Sequence, residues 1–464
     1  MLRKILMGTL VLSAMGSAVT NAQNVARVAS WVTRADKSEL LKKQAVQPAF
    51  GKINSEYAVI TVDDKQHYQQ IDGFGFTLTG GSAQLINKLP AQSRKRLLNE
   101  LFSTAGNGIG VSYLRISIGA SDLNPDVFTY DDMPAGQTDP DLKNFSLAKD
   151  AGVLSLLQDI IKINPRIKIL GSPWTPPSWM KTNESSMGGS LKQDCYEVYA
   201  KYLVKYIRGM KAKGITIDAV TLQNEPLNPK NNPSMVMEAA EQAAFIKNNV
   251  GPSFRSAGIK TKIITYDHNA DRPDYPMDIL KDPEARKYVD GSAFHLYGGK
   301  IEALSEVHNA YPDKNLYFTE QWVGAPGNFP GDLNWHVNNL IIGATRNWAR
   351  NVLEWNLAAD SKYEPHTPGG CTECLGAITV EKDVLRNVAY YIIGHASKFV
   401  PAGSVRIASN ITGDLANVAF KTPQGKKVLI VVNNAKSKTI FNIINRGRAA
   451  LCSLDAGAVG TFVW

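Results

Sequence analysis

The sequence predicts an α/β protein: a (β/α)8 barrel followed by a small antiparallel β-sandwich. Three observations predict it. Eight short apolar runs alternate with eight longer amphipathic stretches between residues 73 and 398. From residue 399 the pattern changes to short alternating strands with hairpin turns. Polar residues gather at the C-terminal ends of the apolar runs, where a parallel barrel keeps its active site.

Residues 1–22 read as an export signal, with Arg3 and Lys4 before the apolar run 5–12 and small residues leading to Ala22. That run is too short to span a bilayer. Residues 23–70 form a lead-in, polar and irregular over 23–56, with strands at 57–62 and 66–71 that join the later sandwich. The barrel covers 71–398 and the sandwich 399–464. Barrel strands are expected at 73–78, 112–118, 167–171, 219–223, 262–266, 291–296, 316–319 and 352–356. Helices are expected at 91–102, 147–163, 195–213, 233–254, 275–288, 301–310, 333–349 and 384–398, with Asp194 and Asp332 as caps of two of them. An open doubly wound sheet competes, but it would carry a glycine-rich turn opening a helix. In Asp72-Gly73-Phe74-Gly75-Phe76 the glycines fall inside the strand. The sandwich strands are read at 404–408, 415–420, 427–432, 439–444 and 459–464, with Thr422-Pro423-Gln424-Gly425 as a hairpin turn.

Composition narrows the function classes. Apolar residues make up 44% and charged residues 20%, as in a soluble globular protein. Arg3 and Lys4 supply two of the net charge of +9, and the remainder is spread without any basic block interleaved with aromatics. Nucleic acid is therefore not an expected partner, and no stretch is long enough for membrane insertion. The leader places the protein in the periplasm or outside the cell. Cys371-Thr372-Glu373-Cys374 is a lone C-x-x-C, lacking the second pair that a zinc site needs; a local disulfide is expected. Cys195 and Cys452 read as buried thiols. Neither metal nor cofactor is expected.

The chemistry sits at the strand ends. Ala219-Val220-Thr221-Leu222-Gln223-Asn224-Glu225-Pro226 carries an amide and a carboxylate at the end of the fourth strand. Asn315-Leu316-Tyr317-Phe318-Thr319-Glu320-Gln321 carries a second carboxylate at the seventh. Other strand ends contribute Arg115, Asp122, Trp174, Asp267, His268, His295, Tyr297, Trp322, Trp355 and Asn356. Two glutamates among aromatics and amides suit a sugar, because glycoside cleavage needs one carboxyl to protonate the leaving oxygen and another to meet charge at the anomeric carbon. Strands four and seven lie across the barrel, so their ends can converge. Glu225 is read as acid/base, its pKa raised by burial and a neighbouring negative charge; Glu320 is read as nucleophile, held ionised by Arg115 or Tyr297. Asn224 would bind the sugar 2-hydroxyl. Arg115 inside an apolar strand needs a partner. Trp174 and Trp355 fit sugar stacking and core packing equally. Asp267 and His268 have no spaced partners for a metal and read as hydrogen-bonding support; His295 and Trp322 are expected among the sugar-binding residues, with His295 also read as orienting a neighbour.

At these residues the chain resembles glycoside hydrolase family 30, which includes glucosylceramidases and endo-β-1,6-glucanases. The resemblance rests on Gly73-Phe74-Gly75, Arg115 to Asp122, Ser172-Pro173-Trp174, Asn224-Glu225-Pro226, Phe318-Thr319-Glu320 and Trp355-Asn356, in the family's order. It implies a TIM barrel with an attached sandwich, retaining chemistry without a metal, Glu225 as acid/base and Glu320 as nucleophile. It also implies Arg115, Asp122, Trp174, Asn224, Tyr297 and Trp355 in a glucose subsite. Leu78-Thr79-Gly80-Gly81-Ser82 and Gly369-Gly370-Cys371-Thr372-Glu373-Cys374 look closest to the β-1,6-glucanase branch. Three rivals stand beside a secreted β-1,6-glucanase. A glucosylceramidase or broad β-glucosidase would use an apolar rim, for which Phe329, Pro330 and Trp335 are candidates. The others are a metal-dependent barrel hydrolase and a non-catalytic carbohydrate-binding barrel.

Overall fold

The computed structural model describes residues 26–464, so the export signal at 1–22 lies outside the described residues. Eight parallel strands close into a barrel: Gly73–Thr77, Tyr113–Ile118, Lys168–Pro173, Ala219–Thr221, Lys262–Ala270, Val289–Gly299, Asn315–Glu320 and Ala349–Asn356. Closure is direct, Asn351 of the eighth strand pairing with Gly73 of the first. Helices pack outside, and their apolar faces merge with the outward faces of the strands into one large core.

The sequence pattern holds for all eight strands, with local differences. The fourth strand stops at Thr221, so Asn224 and Glu225 stand on the loop beyond it. The expected helix 384–398 begins only at Val388, because 384–386 pair as a strand. Pro233 does not open a helix; the helix starts at Ala239 and continues through a π-helical turn, 246–250. Gly80–Lys88 is an additional helix, capped by Thr79, whose side chain accepts from the Ser82 amide. Asp194 and Asp332 do not cap. Asn328 does, accepting from Gly331 N at the start of Phe329–His336.

Nine of the other strands form a second sheet, and short strands after the seventh and eighth barrel strands make a two-stranded and a three-stranded sheet. In the nine-stranded sheet the two early strands are a single strand, Ala58–Gln70, whose pairing register shifts along its length. It pairs with Val405–Ser409 towards one end and with Thr439–Asn445 towards the other, which folds the sheet on itself. The lead-in is less irregular than its polarity predicts. Ala29–Thr33 pairs with the last strand, Val459–Val463, tying the two ends together. Arg448–Leu454 adds an edge strand that the sequence pattern did not separate. The strand Lys427–Asn433 reads as an unbroken apolar run because both its faces are covered. Leu429 and Val431 enter the sandwich core, whereas Val428, Ile430 and Val432 join the barrel core.

Polar contacts fix the junction. His395, wholly buried on the last barrel helix, bonds to Thr33 Oγ1 at 2.8 Å and Thr461 Oγ1 at 2.9 Å; burial drives its pKa down to about 3, so it is neutral. Arg346 donates to the backbone carbonyls of Asn417 at 2.6 Å and Ser409 at 2.8 Å. Arg346→Met keeps the packed stem but strands those carbonyls. It is expected to cost about 1.5–3 kcal/mol in denaturant unfolding; an unchanged midpoint would mean that apolar packing alone joins the two modules.

Candidate active site

Side chains inside the barrel alternate with a period of two. A lower layer is apolar: Tyr113, Leu170, Ala219, Ile264, Ala293, Tyr317 and Leu353 pack together. Two residues further along the strands come Arg115, Ser172, Thr221, His295, Thr319 and Trp355. On the fifth strand the same step reaches Tyr266, but a bulge intervenes. Tyr266 and Asp267 have φ of 73° and 70°, and the register slips between Tyr266 and His268. The extra residue turns Asp267 inward.

Asp267 is wholly buried and collects donors from five strands. Arg115 reaches it at 2.8 Å, Ser172 and Thr221 each at 2.7 Å, Thr319 at 2.6 Å and His295 Nε2 at 3.2 Å. Burial pushes its carboxyl up, but Arg115, His295 and Thr319 outweigh it and hold the group well below the usual carboxylate range.

The two glutamates sit on top of this layer. Glu320 closes the seventh strand; Arg115 Nη1 donates to its Oε2 at 2.5 Å and the Tyr297 hydroxyl to its Oε1 at 3.0 Å. Glu225 adopts φ of 44°, in a tight turn where the Asn228 amide donates to the Glu225 carbonyl at 2.9 Å. Its Oε1 shares a 3.1 Å hydrogen bond with His295 Nδ1, and its Oε2 accepts from Asn228 Nδ2 at 2.7 Å. One oxygen of each glutamate and a His295 nitrogen all lie within 4.8 Å of one another. Arg115 also donates to Asn224 Oδ1 at 2.6 Å, and its guanidinium lies 4.7 Å from the Trp174 ring centre. Trp174 stacks on Trp355 at 5.4 Å.

Above them opens a cleft of about 460 Å³. Of the residues expected to bind sugar, Asp122, Trp174, Tyr297, Trp322 and Trp355 line it beside both glutamates. Arg115, His295 and Asn224 do not. Arg115 and His295 are wholly buried beneath the glutamates, His295 bonded to Glu225 and Asp267 and Arg115 to Glu320, Asp267, Asn224 and Ser172, so they set the glutamates rather than touch the cleft. Asn224 presents its oxygen to Arg115, which leaves its NH2 as the free donor. Cys371 and Cys374 are disulfide-bonded and both line the cleft; Cys195 and Cys452 are buried free thiols. Sequence reasoning missed Asn228, Lys230 and Asn269 on the cleft wall. The spacing of Asn228, three residues after Glu225 across a proline, was the available signal.

The electrostatics reverse one expectation. Burial raises Glu225, but the His295 hydrogen bond and charge, with help from His268 and Asn228, bring its pKa down to about 2 rather than up. Burial lowers His295, yet Glu320, Asp267 and Glu225 together raise it to about 9. Glu320 is raised, by burial and by Glu225, against the opposing pull of His295 and Arg115. Asp122 is pushed up to about 7 by burial and by Glu320 and Glu225. The sequence cannot show this, because His295 lies 70 positions from Glu225 in the chain.

Comparison with known proteins agrees with this geometry. The Glycosyl hydrolase family 30 TIM-barrel domain matches residues 71–400, and that family's beta sandwich domain matches 403–462. The chain is 37% identical over 406 residues to an endo-1,6-beta-D-glucanase of Neurospora crassa, covering 82% of each. It is 29% identical over 438 residues to the lysosomal acid glucosylceramidase of Mus musculus, covering 88% of this chain and 83% of that one. A solved endo-beta1,6-glucanase superposes with a TM-score of 0.87 at 34% identity, over 94% of this chain and 99% of the other. A closed barrel with two glutamates converging at its mouth, continuous with its sandwich, thus belongs to glycoside hydrolase family 30.

Proposed function

We propose that this chain is a retaining endo-β-1,6-glucanase, with Glu225 as acid/base and Glu320 as nucleophile. The observation that carries it is the separation of the two carboxyls, an oxygen of each lying within 4.8 Å of the other. Direct attack through a glycosyl ester works at about 5–5.5 Å, whereas inversion needs about 6.5–9.5 Å to admit a water. The partners distinguish the roles. Glu320 faces a guanidinium and a phenol, both of which stabilise a carboxylate and steady it for attack. Glu225 faces an imidazole that carries a proton.

Turnover then follows in two steps. The proton on His295 Nδ1 moves along the 3.1 Å bond to Glu225, leaving a neutral imidazole and a carboxylic acid. Glu320 bonds to the anomeric carbon as Glu225 gives that proton to the departing glycosidic oxygen. Water next attacks the glycosyl ester, Glu225 takes its proton, and Glu320 leaves as carboxylate. Asp267 stays ionised and balances the imidazole throughout.

Similarity to glucanases at 34–37% identity supports a glucan over a lipid. So does the rim. Phe329 packs against Tyr391 and beneath Lys37, and neither it nor Pro330 nor Trp335 lines the cleft. No described helix is long and apolar enough to cross a membrane. Export to the periplasm or beyond is supported by the basic-then-apolar start and by the Cys371–Cys374 disulfide.

Glu320→Gln is expected to lower kcat on β-1,6-linked gluco-oligosaccharides by about 1,000-fold or more while the chain stays folded. Added azide should return an α-glycosyl azide with Glu320→Gly and a β-glycosyl azide with Glu225→Ala. The opposite pairing would exchange the two roles, and activity on glucosylceramide alone would overturn the substrate.

Stability should report the shared proton. His295, raised from 6.5 to about 9, contributes fully below 6.5 and loses its contribution as pH rises through about 9. Glu225, depressed from 4.5 to about 2, contributes above 4.5 and loses its contribution as pH falls through about 2. Urea midpoints should therefore fall between pH 6.5 and 9, and His295→Gln should flatten that limb. An equally steep limb in the variant places the proton elsewhere.

The disulfide wall makes a separate prediction. Replacing Cys371 and Cys374 by serine is expected to raise KM for long glucan several-fold, with kcat on an activated aryl β-glucoside little changed. Unchanged kinetics and unchanged Tm would remove the loop from substrate binding.

A further inference from the structure

The group that divides the proton also has the shape of a metal site. Among the described residues, Glu225, His295 and Glu320 bring three buried ligand atoms within 4.8 Å of one another. His295 Nδ1 stands 3.1 Å from Glu225 Oε1 and 3.9 Å from Glu320 Oε1. A tetrahedral Zn2+ with bonds of about 2.0–2.2 Å sets its ligands about 3.3–3.6 Å apart, so the two His295 edges need shifts of roughly half an ångström or less and the glutamate–glutamate edge one of up to about 1.5 Å. His295 is held from behind, Nε2 bonded to Asp267 Oδ1 at 3.2 Å, as carboxylates orient metal-binding imidazoles. Charge fits as well. Arg115 is one buried cation among the carboxylates of Asp267, Glu225 and Glu320, and a dication beside a neutral imidazole brings this cluster to zero. Both glutamates line the cleft, which gives the ion a way in and leaves its fourth position to water.

We propose that Glu225, His295 and Glu320 form an inhibitory site for one borderline-soft dication, Zn2+ in the first instance. The ion takes the place of the proton between Nδ1 and Oε1, which leaves to solvent, and it occupies the oxygens that would meet the glycosidic bond. Mg2+ and Ca2+, which want six or more oxygens, do not compete for three ligands with an imidazole among them. Binding rests on the geometry alone; inhibition rests on the two glutamates being catalytic, as proposed above.

The test uses the full folded chain, stripped by a chelator and titrated with ZnCl2 by calorimetry, and with Co2+ by visible absorption to report tetrahedral coordination. One ion per chain is expected, with no heat from CaCl2. Removing an outer orienting group costs about 10–100-fold in affinity, so Glu225→Gln and His295→Asn, which remove ligands, are expected to cost at least about 100-fold. His366→Asn, which breaks a histidine–glutamate pair outside the cluster, should leave affinity unchanged. Saturating Zn2+ should stop glycoside hydrolysis, and the chelator should restore it. No binding by folded wild type, wild-type affinity in folded Glu225→Gln, or loss of binding in His366→Asn overturns the site. Zn2+ bound as expected without loss of hydrolysis keeps the site and overturns the catalytic assignment of the glutamates. If His295→Asn does not fold, Glu225→Gln decides alone.

Discussion

Arg115 and Asp267 pair inside the barrel, both wholly buried and 2.8 Å apart, and the two glutamates take their positions around that pair. A buried ion pair stabilises only when its remaining donors and acceptors are satisfied, since desolvation costs several kcal/mol per ion. Here hydroxyls and an imidazole from four other strands complete Asp267, and Asn224, Ser172 and Glu320 complete most of Arg115. The arginine Nε alone is left without a partner, facing the stacked tryptophans. The polar layer is thus a rigid floor. A shift of any contributing strand would uncover charge, so the same contacts that make the interior costly also fix where Glu225 and Glu320 point.

The bulge at Tyr266 and Asp267 shows how function is built into the fold. Without the extra residue, strict alternation would place a tyrosine in the layer and leave Arg115 with no central anion. Two consecutive non-glycine residues at positive φ are a strained solution, sustained by the five donors that Asp267 receives. Glu225, whose amide donates to the Asp267 carbonyl at 3.0 Å, carries similar strain beside the bulge. Strain at both points aims side chains that a regular strand would turn away.

Proton placement follows from the same crowding. Three carboxylates and one guanidinium leave an excess of negative charge, which the cluster relieves by holding a proton on His295. Glu225, the proposed acid, is charged at rest because the proton it would use waits one hydrogen bond away. Glu225 need not be an intrinsically weak acid for this to work; the pair titrates as a unit. The sandwich is fastened to the barrel through a strand buried on both faces and through the His395 and Arg346 contacts.

The sequence by itself determined the barrel, the sandwich and the two glutamates. Each strand is a local apolar run whose end is marked by a change of residue type, and Asn224-Glu225 and Thr319-Glu320 stand at two such ends. Patterns of period two and 3.6 are properties of near neighbours, so they survive in one dimension. Tertiary structure alone decided the rest. That Ala29–Thr33 joins the final strand, that Asp267 turns inward, that Arg115 and His295 lie under the cleft, and that Glu225 falls in pKa all depend on contacts between distant residues. Burial and charge act through space, and no local pattern records which distant groups will be brought within a few ångströms.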